Sequence, residues 1–334
     1  MSFKEKVLSK SNSYNYYKEK NEELLEELEL YKNDKNINET FMKFYGSATN
    51  FCNGSYIEYF LRDDFEDNLK EVTKNLNPHT KKAFKRYFLR AMVVGMLKKD
   101  SLFYESEIKE QDEADKFRQD NYTGKSIGKY KYHGNLNLAA FIDLNLNDDE
   151  LEFIKDKDII DAGAYTGDTS IPLAEFTNKN IYAFEPFEET FNLLCKNVND
   201  NNIKNIIPVQ KSLGNLNGKR TLYLSGNNAQ GITSDEELRE YDDKSNTFVS
   251  ENNLDVGFIT IDVEGAELDL LNGAINTIKT QKPILKISMY HRVTDYFEII
   301  PWVANLGLGY EFKIFKEEPR SFLADIVVQC KVKK

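Results

Sequence analysis

Acidic side chains and one histidine stand at the ends of several apolar runs in the second half of the chain. Asp161, Glu185 and Asp262 each close such a run, Glu264 follows two residues later, and His291 closes another run. If the runs are parallel strands, their carboxyl ends meet at the edge where open α/β sheets bind ligands. Carboxylates can accept hydrogen bonds from hydroxyl groups or attract cations, and an imidazole can exchange protons. The spacing therefore predicts one polar site built from several strand ends.

The sequence DIIDAGAYTGDTS, residues 158–170, predicts a strand, a tight turn and a helix. Gly163 and Gly167 are four residues apart, which differs from the G-x-G-x-x-G spacing of dinucleotide sites. Glycines let a ligand approach the backbone closely, and Thr169 with the helix N-terminus can bind a carboxylate. Asp161 would attract a ligand that carries cationic groups.

The next strand end supplies a candidate for binding a nucleoside. Glu185 lies 18 residues past Gly167, where the acid of nucleoside-binding folds accepts hydrogen bonds from two ribose hydroxyls. Phe187 can lie against an adenine ring.

Short apolar runs alternate with helical patterns from Asp158 onward, which predicts a parallel, doubly wound sheet with right-handed crossovers. The last two runs are joined only by KEEPRS, which is too short for a crossover helix, so they should pair antiparallel. This α/β arrangement is the Rossmann-like shape expected of class I methyltransferases. Residues 218–225 look like an inserted strand or hairpin. The seven runs are DIID, NIYAFEP, NIIPVQKS, VGFITIDVEG, PILKISMYH, YEFKIF and LADIVVQC.

The first half of the chain reads differently. We expect a helical N-terminal region at 1–105, a transitional segment at 106–155 and the main domain at 156–334. YKEKNEELLEELELYKND fits an amphipathic helix, and a second helical stretch runs from about Asp64 to Lys99. These helices predict a cap on the main domain or a dimer face. A short helix should follow Asn147 or Asp148 as its N-cap.

Composition excludes several classes of protein. The chain has 334 residues, with 44 Lys and Arg against 55 Asp and Glu, a net charge of −11. This balance argues against a general nucleic-acid binder. Cys52, Cys195 and Cys330 form no C-x-x-C pattern, which suggests reduced thiols in the cytoplasm. We see no signal peptide and no run long enough to span a membrane.

Four of these stretches resemble the successive motifs of FkbM-type methyltransferases, which use S-adenosylmethionine (SAM). They are IIDAGAYTGDTS, AFEPFEETFNLL, ITIDVEGAELDLLNGA and PILKISMYH. The resemblance covers about residues 156–334. The Asp-Val-Glu-Gly-Ala-Glu block and the Tyr-His strand end are its more specific parts, since many SAM enzymes share the glycine turn.

The resemblance implies methylation of a hydroxyl group, often on a sugar or a polyketide-type molecule. By motif match, Asp161, Gly163, Gly167 and Glu185 would bind SAM, and Ser212 would lie near the adenine. The full set of expected cofactor contacts is Asp161, Gly163, Tyr165, Gly167, Thr169, Glu185, Pro186, Phe187, Ser212 and Asp262. The sequence departs from the family at Thr260, where a lysine is common.

We assign the catalytic role to His291, Asp262 and Glu264. A sugar hydroxyl is a poor nucleophile at neutral pH, and His291 is the candidate base because imidazole titrates near the operating pH. Asp262 and Glu264 should point the same way if the strand persists that far. They could orient the hydroxyl, act as the base instead or hold a divalent cation.

Two acids in a turn do not establish a metal site, and we do not expect one. Glu267 is read as an acid in the first turn of the next helix, where it suits the helix dipole. His79 and His133 have no place at a strand end and are read as structural or surface residues.

The sequence also bears on three alternative functions. An NAD-linked oxidoreductase is disfavoured by the missing glycine, and a nucleic-acid methyltransferase by the charge and the absence of NPPY or DPPY. A non-catalytic module that keeps the fold as a scaffold is the third. The acceptor is expected to be a saccharide, such as a glycan or glycolipid precursor in glycan biosynthesis. Tyr130, Tyr132 and residues 225–235 are candidates for its pocket, and the N-terminal helices for a homodimer contact.

Overall fold

A computed structural model describes residues 59, 62–97, 105–215, 218–224, 237–244, 247–317 and 325–333. The expected amphipathic helix near residue 24, Cys52 and the segment 225–235 lie outside these residues. The strands are β1 (Ser126–Ile127), β2 (Tyr130–Lys131), β3 (Asp158–Ala162), β4 (Ile181–Phe184), β5 (Ile206–Val209), β6 (Ser212–Leu213), β7 (Gly218–Leu224), β8 (Glu237–Lys244), β9 (Val256–Ile261), β10 (Ile284–Ser288), β11 (Tyr310–Lys316) and β12 (Ile326–Val332).

The helices connect these strands and cover both faces of the main sheet. They are α1 (Phe65–Thr73), α2 (Pro78–Leu97), α3 (Glu105–Asn121), α4 (Ala139–Ile142), α5 (Asp148–Ile154), α6 (Ser170–Leu173), α7 (Glu188–Asp200), α8 (Thr247–Glu251), α9 (Glu267–Gly273), α10 (Ile275–Gln281) and α11 (Asp295–Asn305). Asn147 caps α5 through a capping box with Glu150, as expected.

A seven-stranded sheet forms the centre of the protein, in the order β11-β12-β10-β9-β3-β4-β5. Strands β3, β4, β5, β9 and β10 are parallel, whereas β12 is antiparallel to both β10 and β11. The predicted parallel sheet closed by an antiparallel hairpin is therefore confirmed. The strand order reverses between β3 and β9, and such a switch point opens a crevice at the carboxyl ends of the strands.

The apolar runs form strands because both faces of the sheet are covered. Every residue of β3, β9 and β10 is buried, as expected for parallel strands between two helical layers. One core cluster joins α1, α2, α9, α10 and α11 to the sheet, and a second joins α4–α7 to its other face. Residues 218–224 of the expected inserted strand form β7. This strand pairs with β8 in a small separate sheet that includes β6.

The N-terminal helices pack on the sheet domain through aromatic rings. The expected stretch from Asp64 to Lys99 is two helices, because Pro78 starts a new helix and cannot continue the previous one. Phe297 of α11 stacks on Tyr59, with the ring centres 4.4 Å apart, and meets Phe88 edge-on at 5.0 Å. These helices therefore cover α11, and dimerisation through them stays a prediction.

The helical sequence pattern at 266–280 forms two helices, α9 and α10, which meet at Ala274. Gly273 lets the segment after β6 lie against the end of α9, because a Cβ atom there would be 1.9 Å from the carbonyl oxygen of Gly214. The boundaries at 105 and 155 stay a prediction. None of the helices in the described part of the chain is long and apolar enough to cross a membrane.

Replacing Phe297 by alanine should release the contact between α11 and the N-terminal helices. The side chain is 5% exposed and touches four other aromatic rings, so the free energy of unfolding should fall by about 3–5 kcal/mol. Urea denaturation measures this change. Phe176→Ala is the matched control, since that ring is 37% exposed, and an equal loss in both variants would contradict the packing described.

Candidate active site

A cavity of about 690 Å³ opens at the carboxyl ends of β3, β4, β9 and β10. Its volume lies in the range typical of small-molecule sites. Residues from the turns after all four strands line it, as the strand-end argument predicts. One half is formed by the turns after β3 and β4, and the other by the turn after β9 and the end of β10.

The two halves meet where β3 and β9 end. The Asp262 amide donates to the carbonyl oxygen of Ala162 at 2.9 Å. Gly163 has a φ of +86°, and a Cβ atom there would lie 1.8 Å from the carbonyl oxygen of Asp262. Only glycine fits, since it lacks the side-chain atom that would collide with this backbone.

Gly167 has a packing role rather than a place in the cavity lining. Its φ is +93°, and a Cβ atom would lie 2.9 Å from Cδ1 of Leu194 in α7. The absence of a side chain therefore lets the turn after β3 sit against α7. The short helix α6 follows at once, with Thr169 at its N-cap position.

Asp161 lies in the first half of the cavity, with Ser170 buried beside it. Asp161 is 2% exposed, and its carboxylate accepts a hydrogen bond from the Ser170 hydroxyl. Burial raises the pKa of Asp161 to about 6, although the Ser170 hydrogen bond and the positive charge of Lys286 act in the opposite direction.

Glu185 is already bound by three protein donors. Its carboxylate accepts hydrogen bonds from the amides of Tyr165 at 2.9 Å and Phe187 at 3.0 Å, and from the Thr190 hydroxyl at 2.8 Å. A carboxylate offers about four acceptor positions. One position is therefore left for a ribose hydroxyl, whereas the sequence analysis expected two such bonds. Burial raises the pKa of Glu185 to about 7.

Asp168 is a cavity residue that the sequence analysis did not select. Its carboxylate accepts a hydrogen bond from the Asn137 amide at 3.0 Å, and burial raises its pKa to about 7. It stands in the DIIDAGAYTGDTS turn, directly after Gly167. That position was a usable signal, since an acid there faces the same crevice as Asp161.

At the second half of the cavity, three carboxylates surround one imidazole, and two of these carboxylates line the cavity. His291 Nε2 lies 3.3 Å from Asp262 Oδ1 and 3.4 Å from Glu264 Oε2. The strand alternation expected for these acids does not apply, because β9 ends at Ile261. Instead, Glu264 adopts a left-handed backbone, with a φ of +52°, and Gly265 follows with a φ of +94°. This turn carries the Glu264 carboxylate back to the histidine.

Glu267 holds the other side of the imidazole. His291 Nδ1 lies 2.8 Å from Glu267 Oε1, which also accepts hydrogen bonds from the amides of Val263 and Gly265. Glu267 does lie in the first turn of α9, as expected, yet it is fully buried. It is therefore a partner of His291 as well as an acid suited to the helix dipole.

The charged side chains of this cluster shift one another's pKa values. Burial lowers the pKa of His291, but the hydrogen bond to Glu267 and the charges of the three carboxylates outweigh it and raise the pKa to about 10. This differs from the expected titration near the operating pH. Burial raises the pKa of Glu264 to about 7, and also raises that of Asp262. The pKa of Glu267 is lowered, because its contact with His291 outweighs burial.

Lys286 brings a buried ammonium group to the cavity. It is paired in register with Thr260 across β9 and β10, and both residues line the cavity. Its ammonium forms an ion pair with Glu317. The chain thus has Thr260 where the resemblance led us to expect a lysine, and carries Lys286 on the adjacent strand. A lysine inside the apolar run PILKISMYH was the signal for it.

Most of the predicted site residues are brought together. Those that line the cavity are Asp161, Gly163, Tyr165, Thr169, Glu185, Pro186, Phe187, Ser212, Asp262 and Glu264. Gly167 and His291 are not part of the lining, and the His291 side chain is 4% exposed. The imidazole therefore lies behind Asp262 and Glu264. The individual roles of all these residues stay predictions.

The expected acceptor-pocket tyrosines lie elsewhere. The Tyr130 hydroxyl donates to Glu175, and Tyr132 is buried with its hydroxyl 2.5 Å from the Thr166 hydroxyl. Neither belongs to the cavity lining in the described part of the chain. His133 is a surface residue paired with Asp200, as expected.

Comparison with known proteins agrees with the geometry. The sheet order and the site at its switch point define a class I methyltransferase fold. Residues 161–312, a little under half of the chain, match the model of the methyltransferase FkbM domain. The resemblance drawn from the motifs is therefore confirmed over these residues. A search of curated proteins gives no match.

Solved structures are similar in fold. A crystal structure of methyltransferase FkbM from Methylobacillus flagellatus KT matches at 15% identity with a TM-score of 0.50. The match covers 80% of this chain and 60% of that chain. An rRNA methylase from Streptococcus thermophilus matches at 14% identity and a TM-score of 0.39, over 56% of this chain and 93% of that one.

The buried acids make stability depend on pH in a predictable direction. Asp168 is protonated in the folded protein up to a pH of about 7, whereas in the unfolded chain it ionises near pH 4. The unfolded state therefore binds fewer protons between pH 4 and 7, so this group lowers stability as pH rises through that window. Asp168→Asn keeps an acceptor for Asn137 and should gain stability relative to the wild type, on the order of a few kcal/mol, from pH 4 to 7.

Urea denaturation at a series of pH values measures the difference. Asp200→Asn is the control, because Asp200 lies at the surface beside His133. A constant difference between Asp168→Asn and the wild type across this window would contradict the expected ionisation.

Proposed function

We propose that the protein transfers a methyl group from S-adenosylmethionine to a hydroxyl group of a small molecule or saccharide. The observation that supports this most is the single cavity in which the glycine turn and acids after β3 and β4 adjoin the acid–histidine cluster after β9 and β10. A donor and an acceptor bound in the two halves would meet at the switch point of the sheet.

The charge of the cavity suits a cationic donor. Seven acidic and three basic side chains of the described residues line it. The excess negative charge would attract the sulfonium and ammonium groups of SAM and disfavour a nucleic-acid acceptor. The acids are Asp161, Asp168, Glu185, Asp262, Glu264, Glu317 and Asp325, and the basic residues are Lys211, Lys286 and Arg292.

The donor half has suitable groups for each part of SAM. Glu185 has one acceptor position left for a ribose hydroxyl, and Phe187 and Ser212 line the same region of the cavity. The amides of the turn after β3 and Thr169 can bind the carboxylate of the donor. The bound donor supplies a methyl group that is activated by the positive charge on sulfur.

The carboxylates in the acceptor half receive the proton that the acceptor hydroxyl loses on methylation. Asp262 and Glu264 face the cavity, and the acceptor hydroxyl can donate a hydrogen bond to them. As the oxygen–carbon bond forms, the carbon–sulfur bond breaks, the electron pair stays on sulfur, and the proton passes to this cluster. His291 and Glu267 lie directly behind and hold the carboxylates in place. Alignment of the acceptor oxygen, the methyl carbon and the sulfur of the donor contributes the other part of the rate enhancement.

The donor assignment is tested by replacing Glu185. Glu185→Ala should weaken SAM binding about 10- to 100-fold, as expected for the loss of a hydrogen bond to a charged group. Isothermal titration calorimetry gives the affinity, and thermal unfolding checks that the variant is folded. Glu188→Ala is the control, since Glu188 is exposed in the next helix. A folded Glu185→Ala protein that binds SAM as tightly as the wild type would exclude this donor site.

The role of the cluster is tested by replacing His291. His291→Ala should lower turnover roughly 10²- to 10⁴-fold, because Asp262 and Glu264, which receive the proton, lose the imidazole that holds them, with SAM affinity nearly unchanged. The acceptor is first identified by mass spectrometry in a screen of nucleotide-sugars and saccharides with SAM. His133→Ala, at the surface, is the control. Equal turnover in His291→Ala and the wild type would rule out the assignment.

A further inference from the structure

The acid–histidine cluster contains buried polar atoms that have no hydrogen-bond partner among the described residues. They are Asp262 Oδ1, Glu267 Oε2 and His291 Nε2. One ligand atom from each of these three residues lies within 4.8 Å of the other two. A buried polar atom without a partner is costly, so such a concentration in one place points to a missing ligand.

The distances within the cluster fit the ligands of one metal ion. His291 Nε2 lies 3.3 Å from Asp262 Oδ1 and 3.4 Å from Glu264 Oε2. These separations exceed the roughly 2.8 Å of a charge-assisted hydrogen bond. Two ligand atoms, each about 2.1 Å from a shared ion, lie roughly 3.0–3.4 Å apart at right or tetrahedral angles. The imidazole and the two carboxylates therefore stand as neighbouring ligands would.

Glu267 orients the histidine for this task. The Glu267 carboxylate, with Oε1 2.8 Å from His291 Nδ1, accepts the Nδ1 proton and directs Nε2 toward Asp262 and Glu264, and a cation bound there would displace the Nε2 proton. Metal-binding histidines commonly donate their other ring nitrogen to a carboxylate in this way. Backbone amides of Val263 and Gly265 hold Glu267 Oε1 in turn. The arrangement is thus built before any ligand arrives.

We propose that Asp262, Glu264 and His291 bind one divalent transition-metal ion, with Glu267 as the residue that positions the histidine. A ligand set of one imidazole nitrogen and two carboxylate oxygens favours Mn²⁺, Fe²⁺, Co²⁺ or Zn²⁺ over Mg²⁺ or Ca²⁺. This differs from the expectation drawn from two acids alone. The additional signals are the enclosed His291 side chain, which is 4% exposed, and its orienting partner.

The site opens to the cavity on one side. The Asp262 and Glu264 side chains are 45% and 40% exposed and line the cavity. A bound cation would therefore retain free positions for an oxygen of the acceptor and would lower the pKa of that hydroxyl. This catalytic consequence rests on the proposed function, whereas binding of the cation stands on the geometry alone.

Binding is tested without donor or acceptor. The full-length protein is stripped of metal with a chelator, dialysed and titrated with MnCl₂, and free Mn²⁺ is followed by electron paramagnetic resonance. We expect one Mn²⁺ per chain. Glu267→Gln should weaken binding about 10- to 100-fold, as for other residues that orient a metal ligand. Asp262→Asn and His291→Ala, which remove ligands, should weaken it further.

Matched measurements separate the outcomes. Asp255→Asn removes an exposed carboxylate near the opposite end of β9 and should bind Mn²⁺ as the wild type does. Circular dichroism and unfolding midpoints verify that each variant is folded, and Asp262→Asn preserves the side-chain shape if His291→Ala does not fold. Failure of the wild type to bind Mn²⁺, or unchanged binding in folded Asp262→Asn, overturns the proposal, as does equal competition by Mg²⁺. Mn²⁺ binding without SAM binding would refute only the proposed function.

Discussion

The contact between the ends of β3 and β9 determines the geometry of the whole site. The Asp262 amide donates to Ala162, and the backbone of Gly163 lies so close to Asp262 that no side chain fits between them. The same contact joins the turn after β3, in the proposed donor half, to the turn after β9, in the proposed acceptor half. A shift of either strand end would therefore change the distance between the two halves, and the proposed methyl transfer depends on that distance.

The concentration of acids at this contact is costly to the folded protein. Asp161, Asp168 and Glu185 are all buried, and their pKa values are all raised by burial. Groups with pKa values shifted in this way concentrate at functional sites, where they serve a ligand rather than the fold. The core clusters on both faces of the sheet supply the compensating stability, because they bury large apolar side chains from every layer.

The framework of the fold could be predicted because apolar runs and short connections report directly on strands and their direction. The strand ends then located ten of the predicted residues around one cavity. The turn after β9 could not be predicted, since periodicity does not reveal that Glu264 adopts a left-handed backbone and returns to His291. Burial of His291 behind the acids also depends on side-chain packing, which a linear motif does not encode. The break before Pro78 was readable from the sequence and was missed.

The register between Thr260 and Lys286 has a consequence for comparing relatives of this domain. In parallel neighbouring strands, residues paired in register present their side chains on the same face, so two different positions can deliver one functional group to the same place. An alignment compares each column separately and would score this chain as lacking a lysine. A comparison by location in space would register the charge of Lys286 at this place.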